Sequence, residues 1–251
     1  MSTCGACKCY KKLEFNIRMA YQPIVDVSDN TVFAFEALVR GENGEGAGIV
    51  LDRVTDEYIY SFDQKCRMTA IETAARIGVP GKISINFLPN AIYEPETCLE
   101  RTLETAQRVG FPKDNIIFEV TEHEKIENHE LLKDVFSTYR KHGFLTAIDD
   151  FGEGYAGLNL LSDFQPDLLK IDMNLIRNID KDRVKRAIVK GVISVASDLG
   201  IRSIAEGIET QEEFEVLRDL GIVLMQGYYF GKPALEQAII PEGFNCGAGK
   251  K

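Results

Sequence analysis

Short apolar runs recur along the chain, separated by longer segments in which apolar residues fall three and four apart. Runs of four to eight apolar residues bounded by turn formers read as strands, and the i, i+3, i+4 pattern reads as amphipathic helix. Strands are predicted over 19–26 (MAYQPIVD), 32–39 (VFAFEALV), 82–88 (KISINFL), 116–121 (IIFEVT), 144–150 (FLTAIDD), 167–172 (DLLKID), 201–206 (IRSIAE) and 222–226 (IVLMQ). The first two are joined by an SDNT turn and are close enough to pair as an antiparallel hairpin. One helix carries Leu99, Leu103, Ala106 and Val109, and a second carries Leu131, Leu132, Val135, Phe136 and Tyr139. A third carries Val184, Ala187, Ile188, Gly191, Val192, Val195 and Leu199. Gly78, Gly110, Gly143, Gly200 and Gly221 stand where helix C-termini need a left-handed residue. Eight strands alternating with helices predict an α/β fold, a (β/α)8-type barrel with an irregular start; a doubly wound open sheet is the alternative.

Polar residues interrupt this pattern in one kind of place. Glu36 lies inside an otherwise apolar strand, where a carboxylate is rare unless paired or metal-bound. Asn86, Glu119, Glu122, Asp149, Asp150, Lys170, Asp172, Glu206, Glu209 and Gln226 lie late in a strand or just beyond one. A barrel gathers those ends at one face, where its active sites are built. Several carboxylates with one Asn suit hard cations such as Mg2+ or Mn2+, and two adjacent metals stabilise both oxygens of an in-line phosphoryl displacement. Lys170 is the cation of the DLLKID run and could orient water or neutralise phosphate. The three histidines, His123, His129 and His142, read as loop or surface residues. Gly152, Gly154 and Gly157 spell G-x-G-x-x-G, yet they follow Asp149 and Asp150, whose charges repel a pyrophosphate; DDFGEGYAGL reads as a loop beside a metal site.

Composition narrows the classes. The chain has 251 residues, 45% of them apolar, and a net charge of −10, so it can bury one large core and has no basic stripe for a nucleic-acid polymer. No apolar run approaches the roughly 20 residues that span a bilayer. The N-terminus, MSTCGACKCYKK, lacks the apolar segment of a signal peptide, which gives a cytoplasmic expectation without membrane partners. Cys4, Cys7 and Cys9 could hold Zn2+ or respond to redox with Cys246 as fourth ligand; incidental thiols in a disordered terminus are the plainer reading. Cys66 and Cys98 read as helical thiols. A short Cys-containing segment over 1–18, one domain over 19–240 and a tail over 241–251 are expected, with no room before the barrel for a sensory domain.

Eight blocks in order, QPIVD, EALVR, INFLP, FEVTE, AIDDFGEGY, LLKID, AEGIE and QGYYFGKP, resemble the EAL domain family of cyclic di-GMP phosphodiesterases from about Met19 to Pro233. The resemblance implies a modified TIM barrel with an antiparallel early strand, and hydrolysis of cyclic di-GMP to linear pGpG with two Mg2+ or Mn2+ ions. It implies Glu36, Asn86, Glu119 and Asp149 as first-metal ligands and Asp150 as a second-metal ligand. Lys170 then contacts the water, Glu206 is a carboxylate near metal and water, and Glu122 anchors the loop that begins at Asp150. Glu209, Asp172 and Gln226 match further active-site positions, and Arg40 matches an arginine that contacts phosphate. Glu153 stands in the loop Gly152, Glu153, Gly154 where the family has a small or hydroxyl residue, and Ala156-Gly157 replaces a serine pair. Gly41–Gly48 reads as a solvated loop or a flap. The resemblance also implies a homodimer, and regulation then falls to protein partners or metal occupancy. The rivals are a catalytically silent cyclic di-GMP receptor or adaptor, and another metal-dependent barrel enzyme such as a lyase with Lys170 as base.

Overall fold

The computed structural model describes residues 13–92, 94–121, 129–154 and 157–246. Eight strands close into a barrel. β1 (Ile17–Asp26) and β2 (Thr31–Gly41) form an antiparallel hairpin with Gln22 opposite Glu36. The turn between them is stabilised by Asp29, whose Oδ1 accepts from the backbone N and the hydroxyl of Thr31, and Asn30 takes the left-handed conformation at φ 56°. β3 (Lys82–Asn86), β4 (Ile116–Thr121), β5 (Leu145–Phe151), β6 (Leu168–Ile171), β7 (Arg202–Ala205) and β8 (Leu224–Gln226) follow β2 in parallel order. β8 meets β1 antiparallel and closes the ring. The expected strands are all present, with ends shifted by a few residues. The predicted 82–88 strand stops at Asn86, because Pro89 has no N–H to donate and opens a 3-10 turn.

Helices cover the outside: α1 (Ala47–Leu51), α2 (Ile59–Ile77), α3 (Pro95–Val109), α4 (His129–Lys141), α5 (Gly157–Asp163), α6 (Met173–Ile176), α7 (Arg183–Asp198) and α8 (Gln211–Asp219). The glycine stops behave as expected: Gly78 and Gly110 cap α2 and α3 at φ 68° and 69°. Two short strands, β9 (Ala234–Leu235) and β10 (Asn245–Cys246), add to β1 and β2. Phe244 stands edge-on to Phe230 at 5.8 Å, so chain beyond 240 still packs on the barrel. The outer strand faces pack with α2, α3 and α4 in one apolar cluster, and β7, β8, α7 and α8 share a second.

A third cluster fills the lumen with one residue from nearly every strand: Ile24, Ala34, Ile117, Ala147, Leu168, Ile204 and Leu224. Ser84 of β3, register partner of Glu36 and Ile117, completes the ring. Side chains alternate along a strand, so the next inward layer lies two residues further on. That layer is where the polar residues sit.

Candidate active site

Two residues beyond the apolar ring come Glu36, Asn86, Glu119, Asp149, Lys170, Glu206 and Gln226. On β1, which runs the other way, the corresponding position lies two residues before Ile24 and is Gln22. The period of two thus converts eight strands into one polar ring at the C-terminal mouth.

Lys170 sits at its centre, almost completely buried. Its Nζ lies 2.8 Å from Glu206 Oε1, 2.9 Å from Asp149 Oδ1, 3.1 Å from Glu119 Oε2 and 3.5 Å from Glu36 Oε2. One ammonium cannot neutralise four carboxylates. Burial opposes the charge on Lys170, but Asp149, Glu119, Glu206 and Glu36 outweigh it and hold the ammonium well above its ordinary value. Burial, with Glu36 and Asp149 adding to it against the pull of Lys170, pushes Glu119 up to about 8. Burial and then Asp149 drive Glu206 well above the carboxylate range, and the same two causes push Asp150 up to about 6.

Amides fix the orientation of Glu36. Asn86 Nδ2 donates to Glu36 Oε1 at 3.2 Å, and Gln226 Nε2 donates to Oε2 at 2.7 Å. Gln226 Nε2 also reaches Gln22 Oε1 at 3.2 Å, and Gln22 Nε2 donates to the carbonyl of Gly231 at 3.0 Å. Glu119 Oε1 and Gln226 Oε1, by contrast, are buried without a hydrogen-bond partner among the described residues. An orphaned buried carboxylate oxygen is costly, and a cation is the simplest group to satisfy it.

Oxygens of Glu36, Glu119 and Asp149 approach within 4.8 Å of one another, as do those of Asp149, Asp150 and Glu206, and those of Asp150, Glu153 and Asp172. An all-oxygen donor set of this kind fits a hard divalent cation. Asp150 holds φ 54°, unusual for a residue other than glycine, with its N–H donating to Asp149 Oδ1 at 2.9 Å. That conformation turns the two successive carboxylates toward neighbouring positions. Gly227 lets the wall close in, because a Cβ there would lie 2.1 Å from the carbonyl oxygen of Ile208.

A cavity of about 270 Å³ opens over this ring, bounded also by Leu38, Asp172, Met173, Arg177, Glu209 and Tyr228. Asp172 caps α6, accepting from Asn174 N at 2.8 Å. Glu209 stands at the rim and pairs with Arg177 at 2.6 Å rather than entering the buried cluster. Arg40 is not brought into the cavity wall, and its Nη1 donates to the carbonyl of Val39 at 2.7 Å. The Gly152 to Gly154 loop follows Asp150, with Gly152 at φ 102° and close against Leu175. Glu122, Cys4, Cys7 and Cys9 lie outside the described residues; Cys246 is an exposed free thiol on β10. Sequence reasoning missed Gln22, Arg177 and Tyr228 as wall residues. Gln22 was signalled by the alternation once β1 is known to run backwards; nothing in spacing marks Arg177.

The family model described as the EAL domain matches residues 12–233. The chain belongs to the EAL domain family. A standalone versatile EAL protein from Vibrio cholerae O395, solved in its c-di-GMP bound form, is 51% identical with a TM-score of 0.88, over 90% of this chain and 95% of that one. Klebsiella pneumoniae BlrP1, in a manganese/cy-diGMP complex at pH 9.0, is 35% identical with a TM-score of 0.83, over 90% of this chain and 58% of that one. Among curated relatives, the blue light- and temperature-regulated antirepressor BluF of Escherichia coli K12 is 34% identical over 88% of this chain. The probable cyclic di-GMP phosphodiesterase PdeG of the same organism is 31% identical over 85% of it. The EAL chain spans 55% and 44% of those two relatives' lengths.

Proposed function

We propose that the protein hydrolyses cyclic di-GMP to linear pGpG in a reaction that needs Mg2+ or Mn2+. The observation that carries this reading is the convergence of Glu36, Glu119, Asp149 and Glu206 on Lys170, with one buried oxygen of Glu119 left without a partner among the described residues. Glu36, Asn86, Glu119 and Asp149 would hold one ion, and Asp149, Asp150 and Glu206 a second. Ions so held polarise phosphoryl oxygens and make water a better nucleophile near neutral pH. The chain's own groups do the rest. The ammonium of Lys170 donates to the attacking water's oxygen and fixes its approach to phosphorus. Glu206, acting in its ionised form, accepts the proton the water loses, and burial favours the protonated product of that transfer. The P–O bond to the ribose 3′ oxygen breaks, leaving a 3′ hydroxyl and a 5′ phosphate. Asp172 and Gln226 line the cavity on the substrate side.

The antirepressor among the relatives favours a second reading, a catalytically silent barrel that acts as a receptor or a protein-interaction adaptor. The assembled carboxylate ring favours the enzyme. Purified protein is incubated with cyclic di-GMP and Mg2+ or Mn2+, and products are separated by chromatography beside Glu36→Gln. Wild type is expected to give pGpG, and Glu36→Gln to lose at least ~100-fold, since several kcal/mol of charge stabilisation goes with a metal ligand. Intact substrate with binding retained would establish the receptor and end the hydrolase reading.

A further inference from the structure

We propose that Arg177 anchors a phosphate of the ligand at the cavity rim, exchanging its contact with Glu209 for the phosphate oxygens; this rests on the cyclic dinucleotide reading above. Among the described wall residues the cations are Lys170 and Arg177. Lys170 is buried and already surrounded by four carboxylates, so its charge is occupied. A dianionic ligand entering a cavity whose wall carries six carboxylates needs an accessible positive group away from the metal ligands. Arg40, the phosphate-contacting arginine that the family resemblance implies, is folded onto the Val39 carbonyl and does not line the cavity. Arg177 does line it.

Its surroundings suit an exchange. The Arg177 and Glu209 side chains are 46% and 44% exposed, and an ion pair that open to water is weak. A phosphate offers the guanidinium a bidentate, charge-assisted contact in its place. The backbones of both rim residues, meanwhile, are fixed. Arg177 N donates to Met173 O at 2.8 Å, and Lys185 Nζ donates to Arg177 O at 2.8 Å. Buried Glu213 ties the two rim segments together: Oε1 accepts from Asn178 N at 2.8 Å, and Oε2 accepts from Glu209 N at 3.0 Å. Side-chain exchange on a rigid rim costs little reorganisation.

The test is steady-state kinetics with Mn2+ on wild type, Arg177→Ala and Arg177→Lys, with melting temperatures alongside. Arg177→Ala is expected to raise KM ~10-fold with kcat within about 3-fold, to leave the melting temperature near wild type, and to weaken the dependence of KM on salt. Lysine should restore part of the loss. An unchanged KM in Arg177→Ala overturns the proposal, and so does a joint fall of kcat and melting temperature, which marks a structural role. A silent wild type ends the hydrolase reading but not this one: calorimetric Kd values for cyclic di-GMP with Mn2+ then replace KM, and equal values for wild type and Arg177→Ala overturn it. A wild type that does not bind overturns both.

Discussion

The Glu119 carboxyl is fully buried, touched by Lys170 at one oxygen and unpartnered among the described residues at the other. Without metal its folded pKa is raised, to about 8, and that of Asp150 to about 6, so at pH 7 Glu119 carries a proton that a cation must displace, and below about pH 6 Asp150 does too. The signs follow. A carboxyl whose folded pKa lies above its unfolded value favours the fold while protonated, and this contribution is lost as pH rises through the window from about 4.5 to 8. Lys170, held charged throughout that window, adds no pH dependence there. The metal-free melting temperature is therefore expected to fall between pH 5 and pH 8, and the gain on adding Mn2+ to grow over the same range. Calorimetry in two buffers of different ionisation enthalpy should show proton release on Mn2+ binding at pH 7. A Mn2+ gain that shrinks with rising pH would contradict the protonation of the cluster. Glu36, Asn86, Glu119 and Asp149 were readable in sequence because a charge or amide in an apolar strand is costly and so conspicuous. Arg177 was not, because an arginine after a short helix looks like any solvated residue.

Along elements, the hydrophobic period placed all eight strands, yet it did not show how much polar chemistry lies between helices. Asp63 and Arg67 on α2 have the spacing of an ordinary surface pair, but both are buried and joined to one another. Asp63 Oδ1 also accepts from Leu88 N at 3.0 Å, just past the end of β3. Arg67 reaches Tyr139 Oη at 3.4 Å and Thr102 Oγ1 at 3.5 Å, so one guanidinium ties α2 to α3 and α4. Arg67→Met would leave Asp63 as an uncompensated buried charge, and a loss of about 3–5 kcal/mol in denaturant unfolding is expected. A loss below about 1 kcal/mol would show that the pair adds nothing net. The direction of β1 was readable from the SDNT turn; the residue it brings to the mouth, Gln22, requires counting the alternation backwards from Ile24.

At the scale of the whole molecule, the barrel makes the site by closing. No single strand carries more than a few of its groups, and only the ring of register partners from β1 to β8 brings Gln226 against Glu36 and Lys170 among four carboxylates. The chain carries a net charge of −10, and its cavity is acidic, so binding of a phosphodiester depends on cations that the chain itself supplies sparingly. The central claim is that this ring directs water to phosphorus. The direct measurement is mass spectrometry of the product formed from cyclic di-GMP in 18O-labelled water with Mn2+. The account predicts linear pGpG with one 18O atom in its terminal phosphate, and none formed in EDTA. Intact substrate, or cleavage without incorporated label, would contradict it.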